Sequence, residues 1–156
     1  DSEKLQERLA KLAGGIAIAT VPTSTADVFI GIKITRSAEQ GGGILRWIDA
    51  NNYLHWGHDR TNCFLKQVLA GVETTLITAA SAYSANAYAF VDALGTAGRL
   101  YYNNALVGVT ASINAAFNAA TAHGVRVTDV TANVTLDDFI IYAKGTAGEY
   151  AVLDQY

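Results

Sequence analysis

Paired acids are the first residues to look for, because they do hydrolytic chemistry. Retaining cleavage of a glycosidic bond needs two carboxyl groups about 5 Å apart, a spacing that alternate residues of one strand provide. The chain has Glu3, Glu7, Glu39, Glu73 and Glu149, and no such pair among them. Glu3 and Glu7 fall in a helical stretch, Glu73 stands among threonines, and Asp92 in "AFVDALG" is a lone acid expected on a solvated strand face. No catalysis is expected. The run "HWGHD" gathers His55, His58 and Asp59. Strand side chains alternate, so the two histidines point to opposite faces unless Gly57 introduces a bulge. They therefore read as ordinary exposed histidines rather than zinc ligands. The single cysteine, Cys63, opens "CFLKQVL" and reads as a small buried hydrophobe.

Sugar recognition is the chemistry the remaining residue types suit. It takes aromatic platforms beside Asn, Asp and Arg donors and acceptors, and Arg46, Trp47, Tyr53, His55, Trp56, Tyr101 and Tyr102 supply such types. By strand alternation Leu45 and Trp47 share one face, and Arg46 and Ile48 the other. The Leu/Trp face reads as core, which leaves Arg46 on accessible surface with Asp59 and Arg60. The candidate ligand-binding set is Arg46, His55, Trp56, Asp59 and Arg60.

Short strands must position these groups. "IAIATV" (16–21), "VFIGIKIT" (28–35), the hairpin "ILRWID"–"ANN"–"YLHWGHD", then "CFLKQVL"–"AG"–"VETTLITAA" all read as β. "NAYAFVDALG", "GRLYY", the turn Asn103-Asn104, "ALVGVTAS", "HGVRVTD" and "NVTLDDFIIYA" continue the pattern. "INAAFNAATA" is expected as a loop with one helical turn, because Asn114 and Asn118 break its alanines. Strands of this length with turns between them predict an all-β antiparallel sandwich. The opening "EKLQERLAKLAGG" differs: Leu5, Leu9 and Leu12 form one face of a short α-helix that Gly14-Gly15 stops. So short a helix is marginal alone, and its leucine face must pack on a sheet or on a second copy of the chain.

The bulk properties agree. The chain has 156 residues, enough for one domain, and only 16% of them are charged. That fraction is low for a globular domain and suits sheets whose solvent faces carry Thr, Asn and Ala. A net charge of −3 gives no basic footprint for nucleic acid, and a polyanion is not an expected partner. No apolar run reaches the length that spans a bilayer. The chain begins at Asp1 and contains no Met, as expected of a processed or trimmed product.

From about Ala26 to Lys144 the chain resembles the concanavalin A-like lectin/glucanase superfamily, especially its laminin G-like jelly rolls. "GGGILRWIDANNYLHWG", "GVETTLITA", "GRLYYNNALVG" and "VTLDDFIIYA" carry the resemblance. Asp49, Asn51, Asn52 and Tyr53 match the first turn, and Asn103 the second, where Asn104 replaces the usual Gly. The resemblance implies a jelly roll acting as a non-catalytic recognition or adhesion module in an extracellular, surface or virion setting. The glucan-cleaving members carry two glutamates on one strand, a pattern missing here. Asp137-Asp138 resembles the calcium-linked position of some such jelly rolls, so structural calcium is the one cofactor implied. Asn133-Val-Thr135 matches a glycosylation acceptor.

Glu3 to about Ile18 is similar to a segment of GroEL-type chaperonins, where such a helix runs into Gly-Gly and a strand. It has none of the acidic residues used there on nucleotide. The two resemblances together imply a chimera, with residues 1–21 as a chaperonin-like helix plus strand packed on a jelly roll at 22–156. A chimeric folding unit with no ligand of its own is the alternative to glycan binding. A third reading is a homo-oligomer joined through Leu5, Leu9 and Leu12.

Overall fold

Val28, Ile30, Ile32 and Ile34 occupy every second position of one strand, and all four are buried in the core. That alternation, repeated along the chain, sorts apolar residues to one side of each sheet and builds a sandwich. The computed structural model describes residues 17–22, 25–35, 41–127, 135–144 and 150–155, the first and last of these by backbone alone. The strands are β1 (Ala17–Pro22), β2 (Val28–Ile34), β3 (Gly41–Asp49), β4 (Asn52–His58), β5 (Asn62–Leu69) and β6 (Val72–Ala80). They continue as β7 (Ala87–Leu94), β8 (Ala97–Tyr102), β9 (Ala105–Ser112), β10 (Ala122–Val127), β11 (Leu136–Lys144) and β12 (Tyr150–Gln155). Sheet A runs β1-β10-β3-β4-β5-β6 and sheet B runs β12-β11-β2-β7-β8-β9, with antiparallel pairing throughout.

The all-β antiparallel sandwich expected from the sequence is the observed fold. β1 pairs along its whole length with β10 at the edge of sheet A, the place in a sheet where a proline such as Pro22 is tolerated. β12, which strand patterning did not flag, pairs with β11. The segment between β9 and β10 is a loop with a single 3-10 turn at Ala115–Phe117, capped by Asn114, whose side chain accepts from the Ala116 N–H at 2.9 Å. The α-helix expected in the first residues, with Leu5, Leu9 and Leu12, lies outside the described residues, as does Asn133.

The core between the sheets holds Leu45, Leu54, Trp56, Cys63, Leu65 and Val125 from sheet A. Ile30, Val91, Leu100 and Phe139 meet them from sheet B. Trp56 is 0% exposed, and its indole N–H donates to the Ala89 carbonyl of sheet B at 3.0 Å. The indole lies over Gly43 and the Trp56 carbonyl over Gly42, and a Cβ would collide in each case, which explains two of the glycines that open β3. Cys63 is buried, and desolvation pushes its thiol up to about 12. Asn103 and Asn104 both adopt positive φ, of 49° and 66°, the left-handed conformation that a tight hairpin turn requires and Asn tolerates.

Arg46 departs from the expected alternation. Its φ is 53°, and the β3 register shifts against both neighbours around it: Gly124 faces Ile44, while Ala122 faces Trp47. The bulge reverses the parity of the strand. Leu45 and Arg46 turn inward, whereas Ile44 and Trp47 share the opposite face. Arg46, expected on the surface, is therefore 0% exposed. Its Nε donates to Ala26 O (2.9 Å), Nη1 to Gly95 O (2.7 Å) and Asn118 Oδ1 (3.1 Å), and Nη2 to Asp27 Oδ1 (3.0 Å). Asp27 Oδ1 also accepts the Gly95 N–H at 2.8 Å. Burial draws the guanidinium's pKa down against the pull of Asp27. The charge ties together the lead-in to β2, the β7–β8 turn and the loop before β10.

Candidate functional site

The face of sheet A turned away from the core carries a second cluster. Ile44, Tyr53 and Val68 pack there with Trp47 against them. The registers fix its layout as rows across the strands. Ile44 of β3 faces His55 of β4, which faces Lys66 of β5, which faces Thr75 of β6. In the next row Tyr53 faces Val68, which faces Glu73. On the other side Arg126 of β10 faces Gly42, and Gly57 faces Phe64. Glycine thus lies where a side chain would otherwise stand between Arg126 and Phe64.

His55 is the hub. Its Nε2 is 3.0 Å from Glu73 Oε2, and its Nδ1 is 3.2 Å from Arg126 Nη1. A guanidinium only donates, so Nδ1 is the acceptor and Nε2–H donates to the carboxylate. The imidazole is therefore neutral. Desolvation, reinforced by Arg126, lowers its pKa to about 4 despite the Glu73 carboxylate. Burial alone would raise the Glu73 pKa, but its bonds to His55 and Lys66 outweigh that and leave it lowered. With His55 neutral, the charged partner of Glu73 is Lys66, whose Nζ is 3.2 Å from Oε1. Arg126 lies over the Tyr53 ring at 5.8 Å and Lys66 over Phe64 at 5.2 Å. Trp47 packs on Tyr53 with centroids 5.1 Å apart, and with Ile48, Ala116, Ala119 and Ala120 it also lines a shallow pocket of about 380 Å³. The face carries the half-buried Trp47 indole on the buried Tyr53 ring, beside one carboxylate and two cations among the described residues, groups suited to a polyhydroxylated ligand.

The residues expected as a site fall in three places. His55 belongs to this face. Arg46 and Trp56 are wholly interior and offer nothing to a ligand, because the bulge turns Arg46 inward and strand parity puts Trp56 with Leu54 in the core. Asp59 and Arg60 sit in the β4–β5 turn. Asp59 Oδ1 accepts the N–H groups of Thr61 (3.0 Å) and Asn62 (2.6 Å), while exposed Arg60 lies 5.6 Å from the Tyr83 ring.

The histidines, expected as exposed, are buried. His58 does project to the face opposite His55, as alternation requires, and both its nitrogens are engaged: Nδ1 accepts the Arg60 N–H at 2.9 Å and Nε2 donates to Ser81 O at 2.8 Å. Lys66, Glu73 and Arg126 were missed. The first two were legible, since closing the hairpin at Ala70-Gly71 sets Lys66 and Glu73 beside His55 and Tyr53. Arg126, 71 residues from His55, left no local trace.

Asp137 and Asp138 lie at a register shift in β11, with Asp138 at a φ of 49°. Asp138 Oδ2 is held by Lys33 Nζ at 2.7 Å and by the Tyr88 hydroxyl at 2.9 Å. A cation would have to displace that ammonium, and no group of three or more His, Cys, Asp or Glu converges among the described residues. The outer face of sheet B around this pair carries Phe29, Tyr88, Phe90, Tyr101 and Tyr142. Asp92, expected to be solvated, is paired there with Lys144.

No protein-family model matches the chain, and no curated protein matches it. The likeness of Glu3–Ile18 to a chaperonin segment, and the chimera it implied, gain no support. The fold does match solved structures. A carbohydrate-binding module, CBM66 from Bacillus subtilis, superposes with a TM-score of 0.61 at 16% identity, covering 80% of this chain and 80% of its own. Sheep galectin-11 in complex with glycerol gives 0.58 at 9% identity, covering 82% of this chain and 98% of its own. CG-16, a homodimeric agglutinin from chicken liver, gives 0.55 at 6%, covering 80% and 99%. At such identities the likeness is one of fold: a jelly roll of the lectin-like kind.

Proposed function

We propose that the chain is a non-catalytic glycan-binding module whose contact surface is the outer face of sheet A around Trp47, Tyr53, His55, Lys66, Glu73 and Arg126. The observation that carries this reading is the chain of contacts Arg126–His55–Glu73–Lys66 laid among aromatic rings. Each polar group is already aimed by a neighbour, so a sugar would meet fixed donors and acceptors without ordering them first. The likeness in fold to a carbohydrate-binding module and to galectin-11 supports the same class.

A glycan array probed with the purified chain tests it. Binding is expected, and Trp47→Ala or Glu73→Gln should weaken it by about tenfold or more. Circular dichroism would establish that both variants fold. A blank array would leave a structural sandwich with no ligand, the alternative that the sequence raised.

A further inference from the structure

We infer that this face reads an acidic sugar: one carboxylate or sulfate group of the glycan sits against the Arg126 guanidinium. The inference rests on the binding surface proposed above and names its ligand class.

Arg126 is a cation held in place without an anion among the described residues. Nη1 donates to His55 Nδ1 at 3.2 Å, and Cζ lies over the Tyr53 ring, 5.8 Å from its centroid. Among the described residues it makes no ion pair with any carboxylate, in contrast to Arg46, which has Asp27, and to Lys33, which has Asp138. Glu73 is kept off it by the imidazole ring, which bonds Arg126 through one nitrogen and the carboxylate through the other. Lys66 is paired with Glu73 at 3.2 Å and His55 is neutral, so among the described residues of this face no anion is left over for Arg126.

Of the five N–H donors in a guanidinium, His55 takes one. The rest form a rigid fork that fits two oxygens of a carboxylate or sulfate in parallel. On the strand beside Arg126 the facing residue is Gly42, so no side chain stands against the arm from that direction. The net charge of −3 means that the chain as a whole does not attract polyanions. Recognition is local, of a single acidic group, and its dependence on salt should be correspondingly shallow.

The experiment is a glycan array of neutral, carboxylated and sulfated glycans in matched pairs. It is probed with the wild type, Arg126→Gln, Arg126→Lys and Arg99→Gln. Arg99 is exposed on sheet B, so its variant removes the same charge away from the site. Wild type should favour acidic members of matched pairs by about tenfold. Arg126→Gln should erase that preference, Arg126→Lys should keep part of it, and Arg99→Gln should leave it intact. Separate carboxylated and sulfated arms identify which acid is read. Binding confined to neutral glycans, or an acidic preference that survives Arg126→Gln, overturns the inference while the binding surface stands. An array with no binding at all overturns both. Equal loss in Arg99→Gln would reduce the preference to overall charge and also overturn it.

Discussion

The two outer faces of the sandwich are made of similar residues in different arrangements. On sheet B the rings satisfy one another. Phe29 and Phe90 stack at 4.7 Å with planes 9° apart, and Tyr88 continues the stack on Phe90 at 5.5 Å and 18°. The charges there are matched as well, Lys33 with Asp138 and Asp92 with Lys144. On sheet A the Trp47 and Tyr53 planes are 35° apart, Glu73 keeps 43% of its side chain exposed, and Arg126 has no anion among the described residues. Aromatic content alone therefore does not mark a binding face. What separates the two faces is a charge, that of Arg126, which the described residues do not neutralise.

The strongest way to break this contrast is acid. His55 on the sheet A face and His123 beside Arg46 both have pKa values lowered to about 4, in each case by burial first. An unfolded histidine titrates near 6.5, so between that pH and 4 the unfolded chain holds protons that the folded chain refuses. Stability is unaffected by these groups above the unfolded value and falls as pH drops through the window. Each histidine should cost about 3 kcal/mol by pH 4. Asp138 and Glu73, whose pKa values are lowered, subtract further as pH passes below the carboxylate range. Urea denaturation between pH 7 and 4.5 should show the loss, and His55→Gln should remove about half of the slope. An unchanged slope in that variant would mean that His55 is protonated in the folded chain.

A smaller and more selective effect comes from Gly31. Its position under the Phe90 ring leaves no room for a Cβ. Gly31→Ala should push the sheet B stack apart and destabilise the fold by about 1–3 kcal/mol. Glycan binding should be untouched, and a loss of binding by the refolded variant would transfer the site to sheet B. The smallest effect belongs to Asp138→Asn. The Lys33–Asp138 pair is partly exposed, and its removal should change stability by no more than about 1 kcal/mol in thermal melts. Addition of calcium or a chelator should shift neither wild type nor variant.

Much of the architecture could be read directly. β2 alternates so regularly that its inward residues were identifiable, and the hairpins at Asn51, at Ala70-Gly71 and at Asn103-Asn104 announce themselves through their turn residues. The site was less legible because one extra residue at Arg46 exchanges the faces of β3 beyond it. Parity counting then sends Arg46 outward and Trp47 inward, the reverse of what the bulge produces. Trp56 needed no such knowledge, since it shares parity with Leu54. His58 takes the Arg60 N–H two residues on, but His55 and His123 take partners from distant strands, the Arg126 guanidinium and the Arg46 N–H. Such partners are set by topology rather than by anything adjacent in the chain.

The lone thiol of β5 gives the sandwich a built-in reporter. Sealed from water and held almost wholly protonated, Cys63 should ignore an alkylating reagent until the two layers part. Its labelling rate then measures how often the layers separate at equilibrium, in buffer and without denaturant.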